Sequence, residues 1–172
     1  SSRGAVLSAG LVAALLVIVS IALFPVAERP LPEVKPFLPI FATTVFITEY
    51  LTAYMLLTHF RSVREAFLGA LAAASIYVAV MAVVQIAIFP GVFSDTGLLG
   101  AGPQSAVWIW TLWHGGYPAF VLLALLLQIP AVVHGREKTM PRIGLAVVLL
   151  APVIAIGLAW LAVAGGGVLP AL

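Results

Sequence analysis

The chain has 172 residues, of which 63% are hydrophobic and only 8% are charged, and its mean hydropathy is +1.21. A soluble domain of this length needs far more charge to cover its surface, so the composition excludes an ordinary soluble protein and favours a helical membrane protein. The absence of cysteine excludes disulfides and thiolate chemistry, and the net charge of +2, without a basic run that carries aromatics, gives no sign of a nucleic-acid surface.

Apolar windows of roughly 20 residues, the length needed to cross the hydrocarbon core, occur five times along the chain. The first window lacks the small-residue cleavage site of a signal peptide, so we interpret it as a membrane helix. Short charged segments, HFRSVRE and HGREKTMPR, join the second window to the third and the fourth to the fifth. The sequence therefore predicts an all-α, polytopic transmembrane helix bundle with about five spans, at residues 4–24, 37–60, 65–89, 104–133 and 142–164.

The basic residues are divided unevenly between the two sides of the predicted bundle. Only Arg29 and Lys35 lie on the side opposite the N-terminus, next to two glutamates. Because cytoplasmic loops of membrane proteins are enriched in lysine and arginine, this asymmetry predicts a cytoplasmic N-terminus in a plasma membrane. The basic residues that share the N-terminal side are Arg3, Arg61, Arg64, Arg136, Lys138 and Arg142.

Polar residues inside three of the predicted spans stand at similar depths. Glu49 and Tyr77 lie roughly 18 Å from the outer ends of their helices and His114 roughly 15 Å, at 1.5 Å of rise per residue. A carboxylate at that depth costs at least ~2.5 kcal/mol, so we expect Glu49 to face the bundle interior and to have a partner. We therefore predict a buried polar cluster of Glu49, His114 and Tyr77, with Tyr117, Thr111 and the neighbouring Thr52 beside it.

The segment WHGGYP, from Trp113 to Pro118, interrupts an otherwise apolar window. Pro118 has no N–H to donate to the carbonyl of His114, and Gly115 and Gly116 weaken the same turn. Non-helical backbone inside lipid persists only against protein or in a wet cavity. The segment thus predicts a kink and a small polar cavity, although a purely structural histidine is also compatible with it.

Other polar residues leave alternatives open. Gln85 is most simply a helix-to-helix hydrogen bond, although it could contact a ligand. His59 and His134, both at cytoplasmic helix ends, could ligate a haem axially, which would make the protein redox-active. A proton or solute carrier that uses Glu49 is a further alternative. The chain has no phosphate-binding loop or nucleophile motif, so we expect no catalysis, and the preferred interpretation includes no cofactor.

Two stretches of the sequence carry a family resemblance. FLPIFATTVFITEYLTAYMLLTHFRSVREAFL, followed by IFPGVFSDTGLLGAGPQSAVWIWTLWHGGYPAFVLLALLL, resembles the membrane-associated sensor (MASE) domain of the fourth type over about residues 36–128. The combination of TGLLGAGPQ with WHGGYP is the most specific part. It supplies the motif-loop residues Gly97, Gly100, Gly102, Pro103 and Gln104.

The resemblance implies a bacterial inner-membrane sensory module that precedes a cytoplasmic output domain, a GGDEF diguanylate cyclase or a histidine kinase. It also implies that Glu49 occupies the family's acidic or amide position and that Trp113 and His114 are its WH pair, whereas Gln85 stands where we expect a histidine. Membrane lipids, a small-molecule ligand and a second copy of the full-length protein are the expected partners. Residues 1–172 would then be one sensory domain, with further helices and the output domain expected beyond Leu172.

Overall fold

A computed structural model describes residues 2–26, 36–136, 138–165 and 169–170. Arg29 and Lys35, which enter the predicted orientation, lie outside the described residues. Within these ranges the chain is helical and contains no strand. Five of its helices are long and apolar enough to cross a membrane: α1 (Ser2–Leu23), α2 (Phe37–Val63), α3 (Ala66–Ile88), α4 (Ser105–Leu126) and α6 (Met140–Ala164). A short helix, α5 (Pro130–Val133), lies between the last two.

The chain divides into two compact units, residues 1–34 and residues 35–172. The first unit contains α1, which is continued by one turn of 3₁₀ helix at Phe24–Val26. The second unit contains α2 to α6 and all of the residues that were predicted to form a site.

Helix α3 is the centre of the second unit, where it packs against α2, α4 and α6, while α4 and α6 also contact each other. In the apolar, membrane-length window of α3, 67% of the residues are buried, whereas the share is 11% in α2, 17% in α4 and 22% in α6. Small side chains make this central position possible because they let the neighbouring backbones approach. The fully buried alanines of α3 include Ala70, Ala72, Ala73 and Ala82.

Helices α3 and α6 approach each other closely at a pair of glycines. A methyl group on Gly69 would lie 2.8 Å from the carbonyl oxygen of Gly144, and one on Gly144 would lie 2.8 Å from the ring of Phe60. Gly69 and Tyr77 of α3 both pack inside the bundle, where Gly69 meets α6 and Tyr77 meets α4.

The predicted limits of four spans agree with the helices to within a few residues, but the fourth predicted span, 104–133, is too long. Helix α4 ends at Leu126, and α5 begins separately at Pro130. A proline disfavours helical backbone at the preceding residue, and its ring conflicts with the carbonyl four residues earlier. The proline is tolerated in the first turn of α5, where an N–H has no helical partner.

Glycines close the loop between α3 and α4. The N–H of Leu98 donates to the carbonyl of Ala87 (2.9 Å), which folds the loop back onto the end of α3. Gly97, with φ of +82°, lies where a side chain would overlap the carbonyl of Ile88. The N–H of Gly102 donates to Oγ of Ser105 (3.0 Å) at the start of α4. The glycine-rich motif thus forms a compact connection between two membrane helices.

Candidate functional site

A groove of about 360 Å³ lies where α2, α3 and α4 meet. It contains four residues that the sequence singled out, one on α2 and three on α4. Its lining is Val45, Glu49, Val78, Trp113, His114, Tyr117 and Pro118. We refer to it as the Glu49 groove.

Glu49 reaches this groove because it lies on the packed face of α2. Ala42 and Ala53, seven residues before it and four after it, are buried against the bundle, and Glu49 itself is half-buried. It makes no hydrogen bond and no ion pair with any described residue, so the expected protein partner is not present in that part of the chain. Thr52 does not share the site, because its side chain is exposed and bonds the carbonyl of Thr48 on its own helix (2.8 Å).

His114 is held by its neighbours on α4. Its ring stacks on Trp110 with centroids 4.0 Å apart and is tilted against Trp113 at 5.1 Å. Nδ1 lies 2.8 Å from the carbonyl oxygen of Trp110, and since a carbonyl can only accept, Nδ1 carries the proton of that bond. The prediction of a buried histidine is wrong. The ring is exposed at the edge of the groove, and the hydrogen bond of its Nδ1 is made within α4.

Tyr77 lies beneath the groove and does not line it. The side chain is fully buried, and its hydroxyl donates to the carbonyl of Leu112 on α4 (2.8 Å). The ring also packs against Phe120, with centroids 5.4 Å apart. Tyr77 therefore fixes α3 to α4 at the level of the groove, as the depth estimate placed it, but through a backbone carbonyl and not through Glu49 or His114.

The WHGGYP segment does not break its helix, and the predicted polar cavity is an open groove. Helix α4 is continuous from Ser105 to Leu126 with Pro118 inside it. The two glycines have different surroundings: a methyl group on Gly116 would overlap the ring of Tyr77, while Gly115 has open space around it. Gly116 is thus needed for the approach of α3, and the loss of one amide donor at Pro118 leaves the helix intact.

Two further predicted site residues lie away from the groove. Thr111 is exposed and bonds the carbonyl of Val107 on its own helix (2.9 Å), so it is not part of a buried cluster. Gln85 is only 2% exposed, and its side-chain oxygen has no partner among the described residues. The expected helix-to-helix hydrogen bond of Gln85 is therefore not observed, because apolar and small residues surround this part of α3.

The motif loop contributes to a second, smaller cleft of about 170 Å³ between the start of α4 and the end of α6. Gly102, Pro103 and Gln104 line it, whereas Gly97 and Gly100 form the turns before it and have positive φ. The indole N–H of Trp108 donates to the carbonyl of Pro170 (3.1 Å) across this end.

A third cleft, of about 490 Å³, lies at the opposite end of the bundle and was not predicted. It is formed by the α2–α3 turn, the end of α4 and the start of α6, and it contains Arg64 and Glu65. The charged HFRSVRE segment was its only signal in the sequence. His59 and His134 are both exposed, and haem ligation by them stays a prediction.

Comparison with known families gives a match over most of the chain. The sequence model of a family described as MASE4, membrane-associated sensor, integral membrane domain, matches residues 32–166, which include α2 to α6 in full. No curated protein matches the chain. No solved structure matches it either.

Proposed function

The chain belongs to the MASE4 family of membrane-associated sensors, which is an integral membrane domain, and on that premise we propose that the Glu49 groove receives the signal. The signal is a small molecule, a lipid headgroup or a proton. Repacking of the helices then passes it to a cytoplasmic output domain, a diguanylate cyclase or a histidine kinase. The chain itself supplies sensing and no catalysis, and it works in a bacterial inner membrane.

The observation that carries the proposal is the carboxyl group of Glu49, half-buried and without a partner among the described residues. Ionisable side chains inside membrane segments are costly, and those that persist mark functional sites. Glu49 lies beside His114 and Tyr117, whose side chains carry hydrogen-bonding groups. A ligand or proton that enters here changes the charge between α2 and α4.

The packing around the groove supports transmission toward the other end of the bundle. The hydroxyl of Tyr77 donates to the carbonyl of Leu112 on α4, and its ring packs against Gly116 of the same helix. Because of these two contacts, a shift of α4 either moves α3 with it or is resisted by α3. Helix α3 in turn touches the backbone of α6 at Gly69 and Gly144. A signal in the groove can therefore shift the equilibrium between two packings of the same helices, because a ligand favours the packing that it binds more tightly.

Charge supports an arrangement with the N-terminus in the cytoplasm. The third cleft shows that the α2–α3 turn and the α4–α6 connection share one end of the bundle. The other end carries the 89–104 loop, which contains no lysine or arginine. The positive-inside rule then places the first of these ends in the cytoplasm. The basic residues that lie there are Arg61, Arg64, Arg136, Lys138 and Arg142.

The test is the output of the full-length protein after substitution in the groove. We expect Glu49→Gln and His114→Ala to fix the output at one level over the whole range of stimuli and pH, because the charge change in the groove is removed. Thr52→Val is the matched control, since Thr52 lies one turn further along α2 and bonds only its own helix. An output that responds as in the wild type in both groove variants would refute the groove as the receiving site.

A further inference from the structure

We propose that the Glu49 groove binds an amphiphilic amine, whose ammonium group pairs with the carboxylate of Glu49 and whose apolar part lies along Val45, Val78 and Pro118. This inference rests on the proposed function, because it names the class of ligand that the same groove receives. Three features of the groove support it: its unpaired carboxyl group, its aromatic lining and its position on the bundle surface.

The carboxyl group of Glu49 has no ionic partner in the described lining of the groove. Among the described residues no lysine, arginine or histidine side chain forms an ion pair with Glu49. His114, the nearest basic group in the lining, uses Nδ1 to bond Trp110 on its own helix. An ionised carboxylate at membrane depth is stable only with a partner. A ligand ammonium supplies that partner and leaves the pair neutral in a low-dielectric surrounding.

The aromatic lining of the groove also favours a cation. Trp113 and Tyr117 line it beside Glu49, and the face of an aromatic ring attracts ammonium groups. Because Nδ1 of His114 donates to Trp110, Nε2 of the neutral ring is left as an acceptor. Carboxylate, Nε2 and the Tyr117 hydroxyl together offer more acceptors than donors. This set matches the N–H donors of a protonated amine and disfavours a carboxylate or phosphate.

The position of the groove requires a ligand with an apolar part. Tyr117 is 41% exposed and His114 is exposed, so the groove opens on the side of the bundle and not into a closed interior. At that depth the surface of a membrane helix bundle meets hydrocarbon. A hydrated inorganic cation has no route from that side, whereas an alkyl amine partitions into the bilayer and meets Val45, Val78 and Pro118.

The first experiment is calorimetric titration of the whole chain in dodecylmaltoside micelles with three six-carbon probes. We expect saturable binding of hexylammonium, and binding of hexanol and hexanoate that is weaker by at least about tenfold, because neither of them can pair with a carboxylate. Equal binding of hexylammonium and hexanol would overturn the proposal, since the groove would then recognise only the apolar part.

Two variants and one control locate the binding. Glu49→Gln keeps the shape of the side chain and should weaken hexylammonium binding at least about tenfold, and Tyr117→Leu, at an exposed position, should weaken it less. Asp95→Asn removes a carboxylate from the exposed loop at the same end of the bundle and should have no effect. Wild-type affinity in both groove variants would overturn the proposal, as would an equal loss in Asp95→Asn.

Two outcomes separate this proposal from the proposed function. If hexylammonium binding depends on Glu49 but the output of the full-length protein does not, the amine site stands and the sensory role of the groove fails. If output depends on Glu49 but no amine binds, the amine site fails and the sensory role stands. Adding phosphatidylethanolamine to the micelles identifies the source of the amine: competition with hexylammonium indicates a lipid headgroup, and its absence indicates a free amine.

Discussion

Gly115 and Gly116 are neighbours in α4, but only Gly116 lies against another helix. Gly116→Ala places a methyl group against the ring of Tyr77 and disturbs the bond of its hydroxyl to Leu112, so we expect a loss of about 1–3 kcal/mol in the free energy of unfolding. Gly115→Ala meets open space and should be neutral or should stabilise the helix by up to ~1 kcal/mol. Thermal unfolding of both variants in detergent is the measurement, and equal effects would contradict the close contact.

Part of the site could be predicted from the sequence. Glu49, His114 and Tyr117 were predicted because polar residues are conspicuous in apolar spans, and Trp113 came from the family resemblance; the structure places all four around one groove. The residues predicted with them that do not line the groove are Tyr77, Thr52, Thr111 and Gln85. Their exposure could not be predicted. When a helix is apolar on all sides, its hydropathy pattern does not indicate which face is buried in the bundle. The burial expected for His114 therefore rested on its depth in the membrane alone.

The crossing of α3 and α6 depends on two glycines, Gly69 on α3 and Gly144 on α6, and a third glycine on α6 provides a control. Gly69→Ala brings a methyl group to 2.8 Å from the backbone of Gly144, and because backbone cannot yield as a side chain can, we expect a loss of about 1–3 kcal/mol or more in the free energy of unfolding. Gly157→Ala on α6 meets nothing within 4 Å and should not destabilise. A stable Gly69→Ala variant with an unchanged melting temperature would show that the two helices do not touch there.

The number of spans and most of their limits follow from apolar windows alone, because hydrocarbon thickness sets helix length. The fourth span was overestimated, since the hydropathy of residues 127–133 is high and only Pro130 marks the end of the helix. Which helix occupies the centre was not predicted either. Helix α3 is rich in alanine, but its contact with three partners emerges only from the assembled bundle.

At the scale of the whole molecule, the predicted orientation is open to a direct test because the chain has no native cysteine. Thr96→Cys lies in the loop between α3 and α4, and Ser62→Cys lies near the basic end of α2; both positions are exposed. In intact cells we expect a membrane-impermeant maleimide to label Thr96→Cys at once and Ser62→Cys only after permeabilisation. The reverse pattern would place the α2–α3 turn outside the cytoplasm and contradict the predicted orientation.

The central position of α3 has a consequence for the biogenesis of the protein. During synthesis α3 enters the membrane before α4 and α6 exist, so the stripe of small residues around Gly69 first meets lipid. Until α6 leaves the ribosome, this stripe of small residues is available to any other helix with a similar surface. The time between the synthesis of α3 and that of α6 is therefore the interval in which a wrong helix pair can form, and in which an insertase or chaperone that shields α3 would have its largest effect on yield.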